Sequence, residues 1–233
     1  MSILTKPYFQ ARKNNGVLFE PDADTVLWLP GQDDAYSATI RDRSGAGNNG
    51  AITGATWTRN SQGLWYLDFD GSDDTVIMGN TATLNFSTGD LTLVIWIKCG
   101  ENGRTQVLFN KEDAGGQLNF ERLADNTIRF FCWASGYQAQ IFTNAITDTN
   151  WHQISASRIG AALAISRDGV EDDTGSGTIK DVDSTGDLGM GATDIDTRNF
   201  KGGLALGRAI KGTGWTAAQR TASFNQERHL FNV

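Results

Sequence analysis

The sequence predicts an all-β chain, a sandwich of antiparallel strands with one short helix near its C-terminus. Three observations carry this prediction. Short segments rich in β-branched and aromatic residues recur between turn-forming Gly, Asn, Asp and Ser residues, the spacing expected of a sandwich or barrel. One segment, "DLTLVIWIKCG" at 90–100, is apolar on both alternating faces, so it belongs between two covering layers. The 233 residues include 7 Trp, 12 Phe and 27 Gly, enough bulk for a large core and enough glycine for many tight turns.

Residues 1–23 mix polar and apolar side chains without a period and read as an N-terminal arm, either loose or packed on a neighbouring subunit. Residues 24–233 read as one domain. "TVLWLP" (25–30) is a strand ended by Pro30, and "DRSGAGNNGAITG" (42–54) is a Gly/Asn loop. In "GLWYLDFDG" (63–71), Leu67 and Phe69 alternate with Asp68 and Asp70, the period of a half-buried strand. "TVIMG" (75–79) follows a Gly-Ser-Asp-Asp corner, whose aspartates can accept the turn's own amides.

Within 90–100, Leu91, Leu93, Ile95 and Ile97 face one side, Val94 and Trp96 the other. Four more strands follow at 105–111, 117–123, 127–134 and 137–143. Asp125-Asn126 and Ser135-Gly136 supply turns among them. Segments 151–160 and 161–170 pair, and Asp168-Gly169 is a hairpin signal. The polar stretch 171–187 reads as a surface loop. Thr216 and Gln219 have capping-box spacing, and Ala217, Thr221, Phe224 and Phe231 share a helical face.

The formal net charge is −7 and no Lys/Arg run occurs, so the electrostatic footprint of a nucleic-acid binder is missing. The N-terminus lacks the apolar core of a signal peptide, and no stretch is long enough to span a membrane. Cys99 and Cys132 lie in apolar strands and read as two reduced core thiols rather than a bridge. Neither His152 nor His229 sits in a zinc spacing, and no G-x-S-x-G, phosphate-loop or C-x-x-C motif occurs. The glutamates are isolated from one another and no E-x-D-x-x-E strand occurs; Asp68 and Asp70 share a strand face and could mimic a glycoside hydrolase's carboxylate pair, but read more simply as a solvated face running into a turn. The sequence argues against an enzyme.

"VLWLPGQDD", "RDRSGAGNNGAITGATWT" and "LDFDGSDDTVIMG", followed by "DLTLVIWIK", "NWHQISASR", "AISRDGV" and "FKGGL", resemble the LamG-like domains of the concanavalin A-like lectin/glucanase superfamily. The similarity runs over about residues 25–231. It implies a two-sheet antiparallel jelly-roll sandwich and recognition of glycans or protein surfaces, often with calcium. Members of the family often carry an acidic pair in the last strand. Here Ala205 and Leu206 stand in its place, so that metal site does not carry over intact.

Two functions follow as expectations. One is a non-catalytic lectin-like module, stand-alone or adhesive, that binds a cell-surface glycan. The other is a structural, decoration or attachment protein of a phage or virus particle, contacting other subunits through residues 1–23 and located in the virion. A glycoside hydrolase is the least favoured reading. For a glycan, Trp133 and Tyr137 offer rings beside the Ser135-Gly136 turn, with amides from Asn119, Gln138 and Gln140. For calcium, the ligand candidates are Asp70, Asp73 and Asp74, weighed against a plain sandwich corner.

Overall fold

The computed structural model describes residues 19–113, 115–192 and 198–233. Of the expected arm, residues 1–18 lie outside the described residues. The strands are β1 (Thr25–Leu29), β2 (Thr39–Ile40), β3 (Gly50–Thr53), β4 (Thr56–Arg59), β5 (Trp65–Asp70), β6 (Thr75–Gly79), β7 (Leu91–Cys99) and β8 (Gln106–Glu112). They continue with β9 (Gln117–Arg122), β10 (Ile128–Trp133), β11 (Tyr137–Phe142), β12 (Trp151–Ile159), β13 (Ala162–Arg167), β14 (Val170–Ser176), β15 (Leu188–Met190) and β16 (Lys201–Lys211). Helix α1 (Ala217–Glu227) follows.

Among the described residues the strands form two antiparallel eight-stranded sheets. Sheet A runs β14-β13-β12-β7-β16-β5-β4, with β1 also paired to β16. Sheet B runs β11-β10-β9-β8-β15-β6-β3-β2. The core between them takes Leu93, Ile95 and Ile97 from β7 and Phe120 and Phe130 from β9 and β10, as the period-two alternation requires. Leu67 and Phe69 also point inward, leaving Asp68 and Asp70 exposed. Cys99 and Cys132 are both buried and unbridged. No helix among the described residues is long and apolar enough to cross a membrane.

The predicted hairpin is present: Asp168 and Gly169 both have positive φ (52° and 75°), the pairing a two-residue turn of this hand needs. The structure departs from the sequence reading in three places. Residues 50–53 of the expected Gly/Asn loop form β3, paired to β2 and β6. Gly50 permits this, because a Cβ there would lie 2.5 Å from Val76 Cγ1. Residues 170–176 of the expected surface loop form the edge strand β14, bonded to β13 alone. Its side chains are mostly polar because they bond neighbours instead of entering the core: Asp173 accepts Phe142 N–H, Asp172 accepts Asn144 N–H and Glu171 pairs with Arg220 of α1, so no hydrophobic alternation marks it.

The third departure is α1. Its capping box forms, with Gln219 N–H reaching Thr216 Oγ1 and Thr216 N–H reaching Gln219 Oε1. Its buried face, however, is Arg220, Ser223 and Glu227, while Ala217 and Thr221 are exposed. The helix lies on the outer face of sheet A, where Arg208, Gln153 and the Trp96 indole need polar partners. Glu227 accepts from Arg208 Nη1 (2.5 Å), Trp96 Nε1 (2.8 Å) and Gln153 Nε2 (3.1 Å). Phe231 stacks on Trp96 with ring centroids 4.0 Å apart. From the other end of the chain, Phe19 lies edge-on to Trp28 and 4.5 Å from the Arg208 guanidinium carbon.

Candidate functional site

The outer face of sheet B is not covered by α1, and it carries most of the predicted glycan residues. Ile128, Phe130 and Cys132 point into the core, so Arg129, Phe131 and Trp133 point out. The same alternation turns Gln117, Asn119 and Glu121 of β9 outward. Cross-strand pairing sets Asn119 beside Phe131 and Gln140, and Gln117 beside Trp133 and Tyr137.

Tyr137 reaches this face through a β-bulge. Phe131 pairs with Gln140, but two residues later Trp133 pairs with Tyr137, so β11 has one extra residue. A bulge of this kind re-aims a side chain. It brings Tyr137 to the same side as Trp133, where it is 48% exposed. Phe131 stands edge-on to Tyr137 at 5.2 Å, and the Arg129 guanidinium carbon sits 4.7 Å from the Phe131 centroid. Trp133 is half-buried.

The amides divide. Gln140 is exposed, and its Oε1 accepts from Arg129 Nη1 at 2.8 Å. Asn119 is 1% exposed, and its Oδ1 accepts no hydrogen bond. Gln138 is buried and already engaged: it donates to Gly160 O and Ala161 O and accepts from Lys180 N–H. It ties β11 to the β12–β13 turn instead of presenting an amide. Glu121, fully buried on the same face, is bonded by both Arg129 and Arg198. Arg129, Phe131 and Glu121 escaped the sequence reading because each looks like an ordinary strand residue. Only the register places them beside Trp133 and Tyr137.

Asp70, Asp73 and Asp74 do converge, one carboxylate oxygen from each lying within 4.8 Å of the others. Two oxygens bound to one calcium at about 2.4 Å can be no further apart than this. The trio would supply three of the roughly six to eight oxygens calcium takes. The turn's own carbonyls are otherwise engaged: Gly71 O accepts from Arg104 (3.2 and 3.3 Å) and Ser72 O from Asn199. Asp74 accepts Asp70 N–H at 2.7 Å, and Asp70 accepts Ser72 N–H at 2.7 Å. Burial pushes the Asp74 carboxyl up, and the Asp70 and Asp73 charges add to this against the Asp70 amide. The residues therefore fit a self-bonded corner better than a closed calcium shell. Ala205 and Leu206 lie buried against Trp28 and Trp96 under the C-terminal segment.

His152 is held between two aspartates, Nδ1 to Asp168 Oδ2 at 2.7 Å and Nε2 to Asp148 Oδ1 at 3.1 Å. Burial lowers its pKa, but the Asp168 and Asp148 contacts outweigh that and raise it. With both ring nitrogens engaged it buttresses the β13–β14 hairpin. On the edge of sheet A, Tyr36 is 84% exposed and stands edge-on to Trp65, which Arg59 covers at 4.3 Å.

Comparison with known proteins agrees with this architecture. The binding domain of Paraclostridial Mosquitocidal Protein 1 superposes with a TM-score of 0.71 at 16% identity, over 87% of this chain and 52% of that one. Domain 4 of AbnA, a GH43 extracellular arabinanase from Geobacillus stearothermophilus solved with arabinotriose, gives 0.68 at 16% identity, over 86% and 98%. The receptor binding domain of botulinum neurotoxin D gives 0.68 at 11% identity, over 87% and 52%. The chain thus spans about half the length of the toxin binding domains. At such identities these similarities speak to the fold alone. No curated protein matches the sequence. The family model for the concanavalin A-like lectin/glucanases superfamily matches residues 70–208, more than half of the chain. With its two antiparallel sheets and its order of strands, the chain belongs to the concanavalin A-like lectin/glucanase superfamily.

Proposed function

We propose that the chain is a non-catalytic recognition domain that binds a glycan on the outer face of sheet B, at the Trp133–Tyr137 end. The observation that carries this reading is the bulge that lifts Tyr137 beside Trp133 and leaves it 48% exposed. Rings presented this way stack on sugar C–H faces, while the exposed Gln140 on the adjoining row offers an amide to hydroxyls. The arabinotriose complex of the arabinanase domain and the receptor-binding role of the toxin domains support it by analogy. A glycan array, with Tyr137→Ala and Trp133→Ala as controls, tests it. Wild-type binding reduced about fivefold or more by either variant is expected, since losing a stacked ring removes on the order of 1–3 kcal/mol. A wild-type array with no binder sinks the reading.

A second reading keeps the chain as a structural or attachment component of a phage or virus particle, docked through residues 1–23. Of that segment, Phe19 packs on Trp28 and Trp215 of the chain's own domain. Deleting residues 1–18 tests it while sparing Phe19. Unchanged oligomeric state and particle attachment would count against it.

A further inference from the structure

Where β12 begins, at one end of the sandwich, a single imidazole ties together two separate turns. His152 continues the inward row of Ile154 and Ala156 past the core. Its Nδ1 lies 2.7 Å from Asp168 Oδ2 in the β13–β14 turn. Its Nε2 lies 3.1 Å from Asp148 Oδ1 in the segment before β12. A carboxylate offers acceptors alone, so holding both aspartates takes an N–H on each ring nitrogen. The imidazolium has two such protons and the neutral ring has one.

The two aspartates are not equally secured. Asp168 also accepts Gln153 N–H on Oδ1 (3.0 Å), and its own N–H reaches Gln153 O (2.9 Å). The next residue, Gly169, accepts from Thr221 Oγ1 of α1. That turn therefore stays docked whatever the charge on the ring. Asp148 has no such support. Its other bond is local, from Asn150 N–H to Oδ1 (2.7 Å), and its side chain is 51% exposed against 31% for Asp168. Upstream, Ile146 is anchored in the core, its N–H on Asn126 O and its O on Arg122 Nη2. Downstream, Trp151 is already in β12. Residues 147–150 between them are exposed. Among the described residues, one other hydrogen bond ties this stretch to another segment, the long contact from Asn102 Nδ2 to Thr147 O (3.4 Å).

We infer that His152 is a proton-operated latch on residues 147–150: charged, it pins Asp148 and Asp168 together; neutral, it keeps its proton on Asp168 and lets Asp148 go. With Nδ1 protonated, the Nε2 lone pair faces the Asp148 carboxylate, and the contact becomes repulsive. The groups around the ring leave it as the one that titrates. Burial disfavours its charge, but the Asp168 and Asp148 contacts outweigh that, so release comes above about pH 6.5. The Asn150 amide, with help from the imidazole, holds the Asp148 carboxyl below the usual range, so it stays ionised throughout. From β7, Ile97 pairs with His152 and brings no charge. Burial pushes the nearby Cys99 thiol up, Arg122 draws it back and Asp148 adds to the rise, so it stays neutral. Arg167, at the end of β13, pairs with Asp172 at 3.6 Å.

NMR of the full chain, titrated from about pH 5 to about pH 9, tests the latch. The His152 ring signals are expected to titrate with a midpoint above about 6.5. The amides of Asp148, Thr149 and Asn150 should shift with that same midpoint. Their heteronuclear NOE values should fall above it, while those of Gln153 and Asp168 hold. Asp148→Asn should lower the ring's midpoint and leave residues 147–150 equally mobile at both ends of the range. His152→Gln should remove the step at these amides. Equal rigidity of residues 148–150 at both ends of the range in wild type overturns the latch. So does a step at these amides with a midpoint other than the ring's, a step that persists in His152→Gln, or loss of order at residues 168–169 instead.

Discussion

Replacing Glu227 with glutamine removes one charge from a pair that is almost wholly buried, Arg208 being fully buried and Glu227 equally so. The Arg208 guanidinium then remains among Phe19, Trp28 and Trp215 with only ring faces, the Ser223 hydroxyl and a neutral amide for company. Breaking a buried pair from one side destabilises by about 3–5 kcal/mol, far more than the pair's net worth, because the surviving charge is uncompensated. For a domain of this size that corresponds to a fall of about 6–20 °C in melting temperature. Glutamine still accepts from Trp96 Nε1, so the loss isolates the charge and not the indole bond. The double variant Arg208→Met with Glu227→Gln removes both charges and should recover at least about half of the loss. Urea unfolding followed by tryptophan fluorescence measures all three proteins. A loss below about 1 kcal/mol for Glu227→Gln, or no recovery in the double variant, would refute the view that this charge pair holds the cap in place.

Three other predictions concern the hairpin, the histidine and the corner. Gly169→Ala places a Cβ 3.0 Å from Phe224 Cβ and Thr221 Cα at a φ of +75°. It should destabilise by about 1–2 kcal/mol, and an unchanged unfolding midpoint would contradict the turn geometry. Folding raises the His152 pKa above its unfolded value of about 6.5. Its stabilisation is thus complete below that pH and is lost as pH rises through the folded value. The melting-temperature advantage of wild type over His152→Gln should shrink between about pH 6 and pH 9, and a growing advantage would reverse the sign. Calcium should leave the melting temperature unchanged. An increase abolished by Asp73→Asn would show that the aspartate trio does hold the ion.

Legibility followed the physics of each segment. Strands half-buried in the core announced themselves: Leu67 and Phe69 alternate with aspartates, and the two-faced apolar run around Trp96 requires cover on both sides. The Asp168-Gly169 turn was readable because few residues tolerate positive φ twice in succession. Strand β14 was not, since its acidic side chains bond Phe142, Asn144 and Arg220 and do not alternate with apolar ones. The docking face of α1 was hidden for a different reason. Its partners Arg208 and Gln153 are themselves polar, so Glu227 faces inward where an apolar pattern points elsewhere. At the candidate sites, Tyr137 could be named from sequence, but its placement depends on one extra residue in β11. Lys111 is fully buried, and nothing in the strand 105–111 signals the three oxygens that accept its protons.

Phe19 and Phe231 lie on the same side of the sandwich, both among the aromatic residues over the outer face of sheet A. Sheet B's outer face points the opposite way. A tether joined after Phe231 would leave from the back of the molecule. Several copies anchored on one support would then all turn Trp133 and Tyr137 toward the medium. In such an array weak single-site contacts add through effective concentration, so modest affinity per copy suffices for firm attachment.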